Sequence, residues 1–116
     1  MPERLSHEIL DKMNYVNNFV KEVLRVESGD NSFTWMAHET ITHSSGLVIP
    51  KNTYVRFSMQ GCHYHEDEWQ NPYEFLPERH DPNSELFKTP KGGKRSSLAY
   101  NPFGFGIWAC PGKSLG

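Results

Sequence analysis

Cysteine is scarce in this sequence, long apolar runs are missing, and neither sign of charge dominates. The two cysteines, Cys62 and Cys110, are too few for the disulfide framework of a small secreted domain. They suit a reducing compartment, with at most one of them functional. No apolar stretch approaches the ~20 residues that cross a bilayer, and there is no signal peptide pattern. A net charge of −2 gives no basic surplus for nucleic-acid binding. At 116 residues, with 36% hydrophobic and 22% charged, the chain has the length of one small domain and a polar composition for a compact globule.

What the chain has in quantity is proline and glycine, 8 and 9 residues, most of them after Ser28. The second half therefore reads as rich in loops. The first part reads as helix. Leu5, Ile9, Met13, Val16, Val20, Val23 and Leu24 recur at steps of three and four over residues 5–26. Lys12, Asn17 and Lys21 take the other face. Asp11 is a candidate cap, which would divide the stretch into helices 5–10 and 11–26. The turn formers Ser28-Gly29-Asp30-Asn31 should end it.

Phe33–Glu39 and Thr40–Ile49 read as short strands, with Ser44-Ser45-Gly46 as the hairpin turn that joins them. Tyr54–Met59 alternates with a period of two and reads as a further strand, reached through Pro50-Lys51-Asn52-Thr53. Residues 70–100 read as a long irregular segment, a length that calls for a function or disorder.

Several groupings invite a chemical reading. Cys62, His63 and His65 are residue types that bind zinc, but no second pair of ligands stands at a zinc-like spacing. They read as packing or surface side chains. Lys88, Lys91, Lys94 and Arg95 form a basic run, ordinarily a solvated loop. Glu22 and Arg25 lie three apart on one helix face, and alone such a pair contributes a few tenths of a kcal/mol.

The stretch Asn101–Gly112 is different. Cys110 follows Gly104 and Gly106, and Pro111 and Gly112 follow it. Proline suits the first position of a helix, so Cys110 reads as lying at the N-terminus of a helix that begins at Pro111. A thiol there faces the positive pole of that helix, which favours the thiolate. The glycines permit tight turns and the close approach of a flat ligand, and Phe103, Phe105 and Trp108 add apolar surface. This describes a seat for a haem iron; the plainer alternative is a loop with a small buried cysteine.

Phe103-Gly-Phe-Gly106-Ile-Trp-Ala-Cys110-Pro-Gly112 resembles the Phe-x-x-Gly-x-x-x-Cys-x-Gly signature of the cytochrome P450 family, the haem-thiolate monooxygenases. Two further family motifs lie upstream in the family's order. Glu22-Val-Leu-Arg25 matches Glu-x-x-Arg, and Pro77-Glu78-Arg79-His80 resembles Pro-Glu-Arg-Phe with His80 for the final Phe. Ile49–Thr53 and His65-x-Asp67-x-Trp69, with Pro72 and Phe75, also look like family stretches, the linker after Asp67 being a residue or two short. The resemblance runs from about Asp11 to Gly116.

The resemblance implies an α+β, C-terminal portion of the mainly helical P450 fold: a long helix, a small antiparallel sheet, an irregular meander, the cysteine loop and the start of a final helix, in one partial domain over 1–116. It implies haem (iron protoporphyrin IX), with Cys110 as axial iron ligand and Phe103, Gly104, Gly106, Trp108 and Gly112 around the cofactor. Glu22, Arg25 and Arg79 would form an ion-paired trio bracing the cysteine loop. Removal of one member would strand a buried charge at a cost of about 3–5 kcal/mol.

The family inserts one atom of O₂ into an organic substrate, with electrons from NAD(P)H through a reductase. The basic run at 88–95 would then be a docking surface for an acidic donor. Two departures concern the haem propionates. Trp108 stands where the family commonly has Arg or His, and between Phe33 and Glu39 the only candidate cation is His38. The family's oxygen-activating helix has no counterpart here, so the chain reads as a C-terminal fragment, inactive alone. The alternatives are a non-catalytic haem-binding or interaction peptide of the same family, or a small structural domain. An intracellular location is implied. Membrane association, for example at the endoplasmic reticulum, would come only through a segment outside this chain.

Overall fold

The computed structural model describes residues 6–29 and 32–114. Asp11 lies inside the first helix, and the division falls at Met13. α1 spans His7–Lys12, capped by the Ser6 hydroxyl, which accepts from the Ile9 N–H. α2 spans Asn14–Val26. The one long helix or the 5–10 and 11–26 pair expected from sequence is thus two helices divided later, and Leu5, Asp30 and Asn31 lie outside the described residues. At Met13 the backbone leaves helical geometry, with ψ at 64°. The Asn17 side-chain amide, however, donates to the Leu10 carbonyl across the break.

Strand β1 (Ser32–Met36) pairs antiparallel with β4 (Tyr54–Ser58), while β2 (Ile41–Thr42) and β3 (Val48–Ile49) form a separate hairpin. The sheet expected from Phe33–Glu39, Thr40–Ile49 and Tyr54–Met59 is therefore two sheets. The turn at Ser44-Ser45-Gly46 joins β2 to β3, inside what read as one strand. Gly46 turns the chain there with a φ of 88°, and its N–H donates to the His43 carbonyl. β1 stops at Met36 because Ala37 donates to the Thr53 carbonyl and Asn52 to the Ala37 carbonyl, which closes the approach to β4. Phe33 faces Phe57, and Trp35 faces Val55, so the apolar residues of both strands share one face.

Met59 opens a short helix, α3 (Met59–His63), instead of ending β4, because the Ser58 hydroxyl caps it at the Gly61 N–H. Beyond α3 the chain runs largely as turns to Ser114. It is broken by 3₁₀ turns at Pro77–His80, Glu85–Phe87, Gly106–Trp108 and Pro111–Ser114.

The molecule is long and flat, 60 × 36 × 20 Å, with a radius of gyration of 17.5 Å; a compact 100-residue domain has about 13 Å. Its interior is unusual in kind. Among the described residues the buried apolar side chains are Ala37, Met59, Trp69, Ala99 and the prolines Pro72 and Pro77, whereas Glu22, Arg25, His63, Arg79 and His80 are buried with them. α2 turns Glu22 and Arg25 inward, while Val16, Phe19, Val20 and Val23 on its other side remain exposed. An irregular segment packed against a helix brings carbonyl groups that need donors. Guanidinium groups supply them and valines cannot, so the charged stripe is the one that packs.

Candidate functional site

Glu22 sits at the centre of the buried cluster. Its Oε1 accepts from Arg25 Nη2 at 2.8 Å, Arg79 Nε at 2.9 Å and the Leu76 N–H at 2.9 Å. Its Oε2 accepts from Arg25 Nε at 3.0 Å and His80 Nε2 at 2.9 Å. Burial pushes the carboxyl up, but hydrogen bonds from His80, Arg25 and Leu76 and the charge of Arg25 outweigh it. Glu22 is held well below the usual carboxylate range.

The two arginines spend their remaining donors on the main chain. Arg25 reaches the carbonyls of His63 and Pro72 at 2.8 Å and of Glu74 at 3.1 Å. Arg79 reaches those of Gln70, Asn71 and Glu74. The segment 63–76 is thereby fixed without regular secondary structure. Trp69, 1% exposed, lies under Arg95, whose guanidinium carbon is 4.2 Å from the ring centroid. Arg95 donates to the Leu86 and Arg79 carbonyls, and burial and the charge of Arg79 lower its pKa to about 10.

These contacts take one member from the basic run expected at the surface, where Lys88, Lys91 and Lys94 remain exposed. Arg95 points inward, Lys88 pairs with Glu85, and Lys91 pairs with Asp67. Cys62, His63 and His65 do not converge on a metal, and no cluster of three such ligands exists among the described residues. Burial and the charge of Glu68 push the Cys62 thiol up. His63 is a buried packing residue, and with His80, Arg95 and Tyr100 it is a part of the cluster that motif reading passed over. A histidine closing a strand–helix turn six residues before a tryptophan was the available signal for it.

The cysteine loop is attached to this cluster at one end and to the β1–β4 sheet at the other. Tyr100 stacks on His63 with centroids 5.6 Å apart and lies 5.3 Å from His80, and its hydroxyl donates to the Lys21 carbonyl. Burial and the negative charge of Glu22 push that phenol up. Phe105 packs edge-on against Phe33, Trp35 and Phe57 at 5.9, 5.7 and 5.2 Å.

Gly104 makes that packing possible. Its φ is 75°, and a Cβ there would stand 2.5 Å from Phe33 Cζ. Gly106, with φ at 67°, opens on free space. The Cys110 N–H donates to the Phe103 carbonyl at 2.7 Å, which closes the loop. Phe103, with Lys21, Leu24 and Lys113, lines a cavity of about 350 Å³ between α2 and the loop.

Cys110 itself is exposed. Of the helix expected to begin after it, the described residues form a 3₁₀ turn at Pro111–Ser114, and Leu115 lies outside them. A Cβ on Gly112 would lie 3.6 Å from Cys110 Sγ, so the residue beside the sulfur is the smallest possible. Ile107 and Trp108, three and two residues before Cys110 in the chain, are 90% and 69% exposed, and Trp108 borders an open groove of about 430 Å³ along β1. His38 is exposed and lines neither space.

The donor set suits haem better than a bare metal ion. A lone sulfur cannot satisfy a tetrahedral zinc, but it is all the protein need supply to an iron whose equatorial positions are filled by a porphyrin. The absence of a side chain at Gly112 beside that sulfur, and the exposed Ile107 and Trp108 of the same loop, suit the approach of a flat macrocycle.

The chain matches the family profile described as Cytochrome P450 over residues 2–116. It is 35% identical to cytochrome P450 78A7 of Arabidopsis thaliana over 92% of its length, and 35% identical to cytochrome P450 4A2 of Rattus norvegicus over 91%. It is 32% identical to pluviatolide synthase of Podophyllum peltatum over 94%. It spans 19%, 19% and 21% of those relatives' own lengths. Its fold is similar to that of a retinoic acid-bound cyanobacterial CYP120A1, with a TM-score of 0.80 and 28% identity over 96% of this chain and 24% of that one. No helix among the described residues is long and apolar enough to cross a membrane. By sequence and by fold, this chain belongs to the cytochrome P450 family, whose cofactor is haem.

Proposed function

We propose that this chain carries the haem-thiolate seat of a P450 monooxygenase, with Cys110 as the axial ligand. The observation that carries this is the exposed Cys110, on a loop closed by its own N–H, with Gly112 beside its sulfur and the exposed Ile107 and Trp108 in the same loop. Phe103, Gly104, Gly106, Trp108 and Gly112 would hold the cofactor's surroundings. Phe103 fixes the cysteine backbone through its carbonyl. Gly104 lets Phe105 dock on the sheet. Trp108 offers an apolar face where a propionate partner is common in the family.

Bound haem supplies oxygen activation, by which one atom of O₂ enters an organic substrate while NAD(P)H-derived electrons arrive through a reductase. The chain's own residues contribute position. Glu22, Arg25 and Arg79 hold α2 and the segment 63–80 together, and Tyr100 and Asn101 carry that arrangement to the loop. Any membrane association would belong to parts of a longer protein.

The deciding measurement is the absorption spectrum of the haem-loaded, reduced, carbon-monoxide-treated protein. A thiolate-type Soret shift present in wild type and lost in Cys110→Ala is expected. A wild-type spectrum without that shift, or one that survives the substitution, overturns the assignment.

A further inference from the structure

His63 uses both of its ring nitrogens. Nδ1 lies 3.1 Å from the Arg25 carbonyl oxygen, which only accepts, so Nδ1 carries the hydrogen. Nε2 lies 3.0 Å from the Asn101 amide nitrogen, which only donates, so Nε2 presents its lone pair. The partners fix one neutral tautomer. The ring is fully buried and stacks on Tyr100.

One partner is the last turn of the ion-paired helix; the other is the entrance to the cysteine loop. From Asn101 the path to the sulfur is short. The Asn101 carbonyl accepts from the Gly104 N–H, and the Phe103 carbonyl accepts from the Cys110 N–H.

The geometry points to His63 as a positioning residue for Cys110: as a neutral imidazole it ties the cysteine loop to α2, and a second ring proton releases it. The use of the tie rests on the haem-thiolate reading; the tie itself does not. Protonation would set an Nε2–H against the Asn101 N–H, donor against donor.

The charges around the ring do not rescue the cation. On α2, Arg25 repels it, and the Glu22 carboxylate is occupied by Arg25, Arg79 and His80. Across Tyr100 stands His80, whose own pKa is lowered by burial. Burial and the Arg25 charge likewise hold His63 below the usual histidine range.

The test is amide hydrogen exchange by NMR on the 116-residue chain, with rates normalised to the intrinsic rate at each pH. In wild type, protection at Asn101 and Cys110 should fall at least tenfold from pH 7.5 to pH 5, while the Trp69 indole and Arg79 Nε protons stay protected. His63→Gln keeps a donor and an acceptor but cannot take the extra proton; it should preserve protection at both amides and make it independent of pH. His63→Phe keeps the stacking and loses both bonds; it should abolish protection at both amides at every pH.

The proposal fails if wild-type protection is flat with pH or if all four sites open together. It also fails if His63→Gln follows wild type or if His63→Phe keeps the Cys110 amide protected. Should His63→Phe not fold, the contrast between wild type and His63→Gln decides alone. None of these readings involves haem, so the Cys110→Ala spectrum can fail independently of them.

Discussion

Around Trp69, charged side chains are buried, and no buried side-chain polar atom among the described residues lacks a partner. Around Cys110, apolar side chains are exposed and the backbone is held by a few turn bonds. The first region has no reactive group, and the second has little to hold it in shape. The difference separates stability from chemistry. A loop that must let a flat ligand approach cannot bury itself, so its geometry is borrowed through Tyr100 and Asn101 on one side and Phe105 on the other.

That division is sharpest at Glu22. Glu22→Ala removes the acceptor shared by Arg25, Arg79 and His80 and leaves two guanidinium groups buried without a counter-charge. The expected loss is about 3–5 kcal/mol, read from the urea midpoint. A loss below about 1 kcal/mol would place the fold's stability elsewhere and break the comparison.

Gly104→Ala tests the joint between the regions. It places a Cβ 2.5 Å from Phe33 Cζ at a φ of 75°, so Phe33 and Phe105 must separate. A loss of about 1–3 kcal/mol is expected, with disappearance of the Phe33–Phe105 contact in NOE spectra.

Acid should act through the buried histidines before it acts through Glu22. His63 and His80 fold with their pKa values lowered by burial. The unfolded chain therefore binds protons that the folded chain refuses, and the stability they hold is full above about pH 6.5 and lost as pH falls below it. Glu22, with its pKa lowered in the fold, adds a second loss below about pH 4.5. Urea midpoints measured from pH 8 to pH 3 should fall in those two steps; a single step confined to below pH 4.5 would remove the histidines from the account.

Cys110→Ala should do the reverse of Glu22→Ala, changing stability by no more than about 0.5 kcal/mol while the spectroscopic signature is lost. Lys91→Ala should be smaller still. Its pair with Asp67 is exposed at both ends, and such pairs contribute little, so no measurable shift in thermal midpoint is expected.

Much of this was legible in the chain itself. The 3.6-residue period marked α2, the two-residue period marked β4, and the spacing of Glu22 to Arg25 placed both on one face. The order of three motifs indicated the family before any coordinates. The separate β2–β3 hairpin was harder to read, because strands of two residues carry no period. Arg95 was misread as a surface charge because its partner, Trp69, stands twenty-six positions earlier and nothing local announces the stacking. His80 looked like a deviation from the expected Phe, and only its reach to Glu22 gives it a partner.

The sequence by itself determined where α2 and β4 lie and which cysteine sits in the signature loop, because each depends on neighbours a few residues apart. Only the tertiary structure decided which face of α2 is interior. Periodicity shows that a helix has two faces; which one packs depends on what the opposing segment needs. Here residues 63–76 bring main-chain carbonyls without a helix or sheet to satisfy them, and the arginines have the hydrogen atoms to do so.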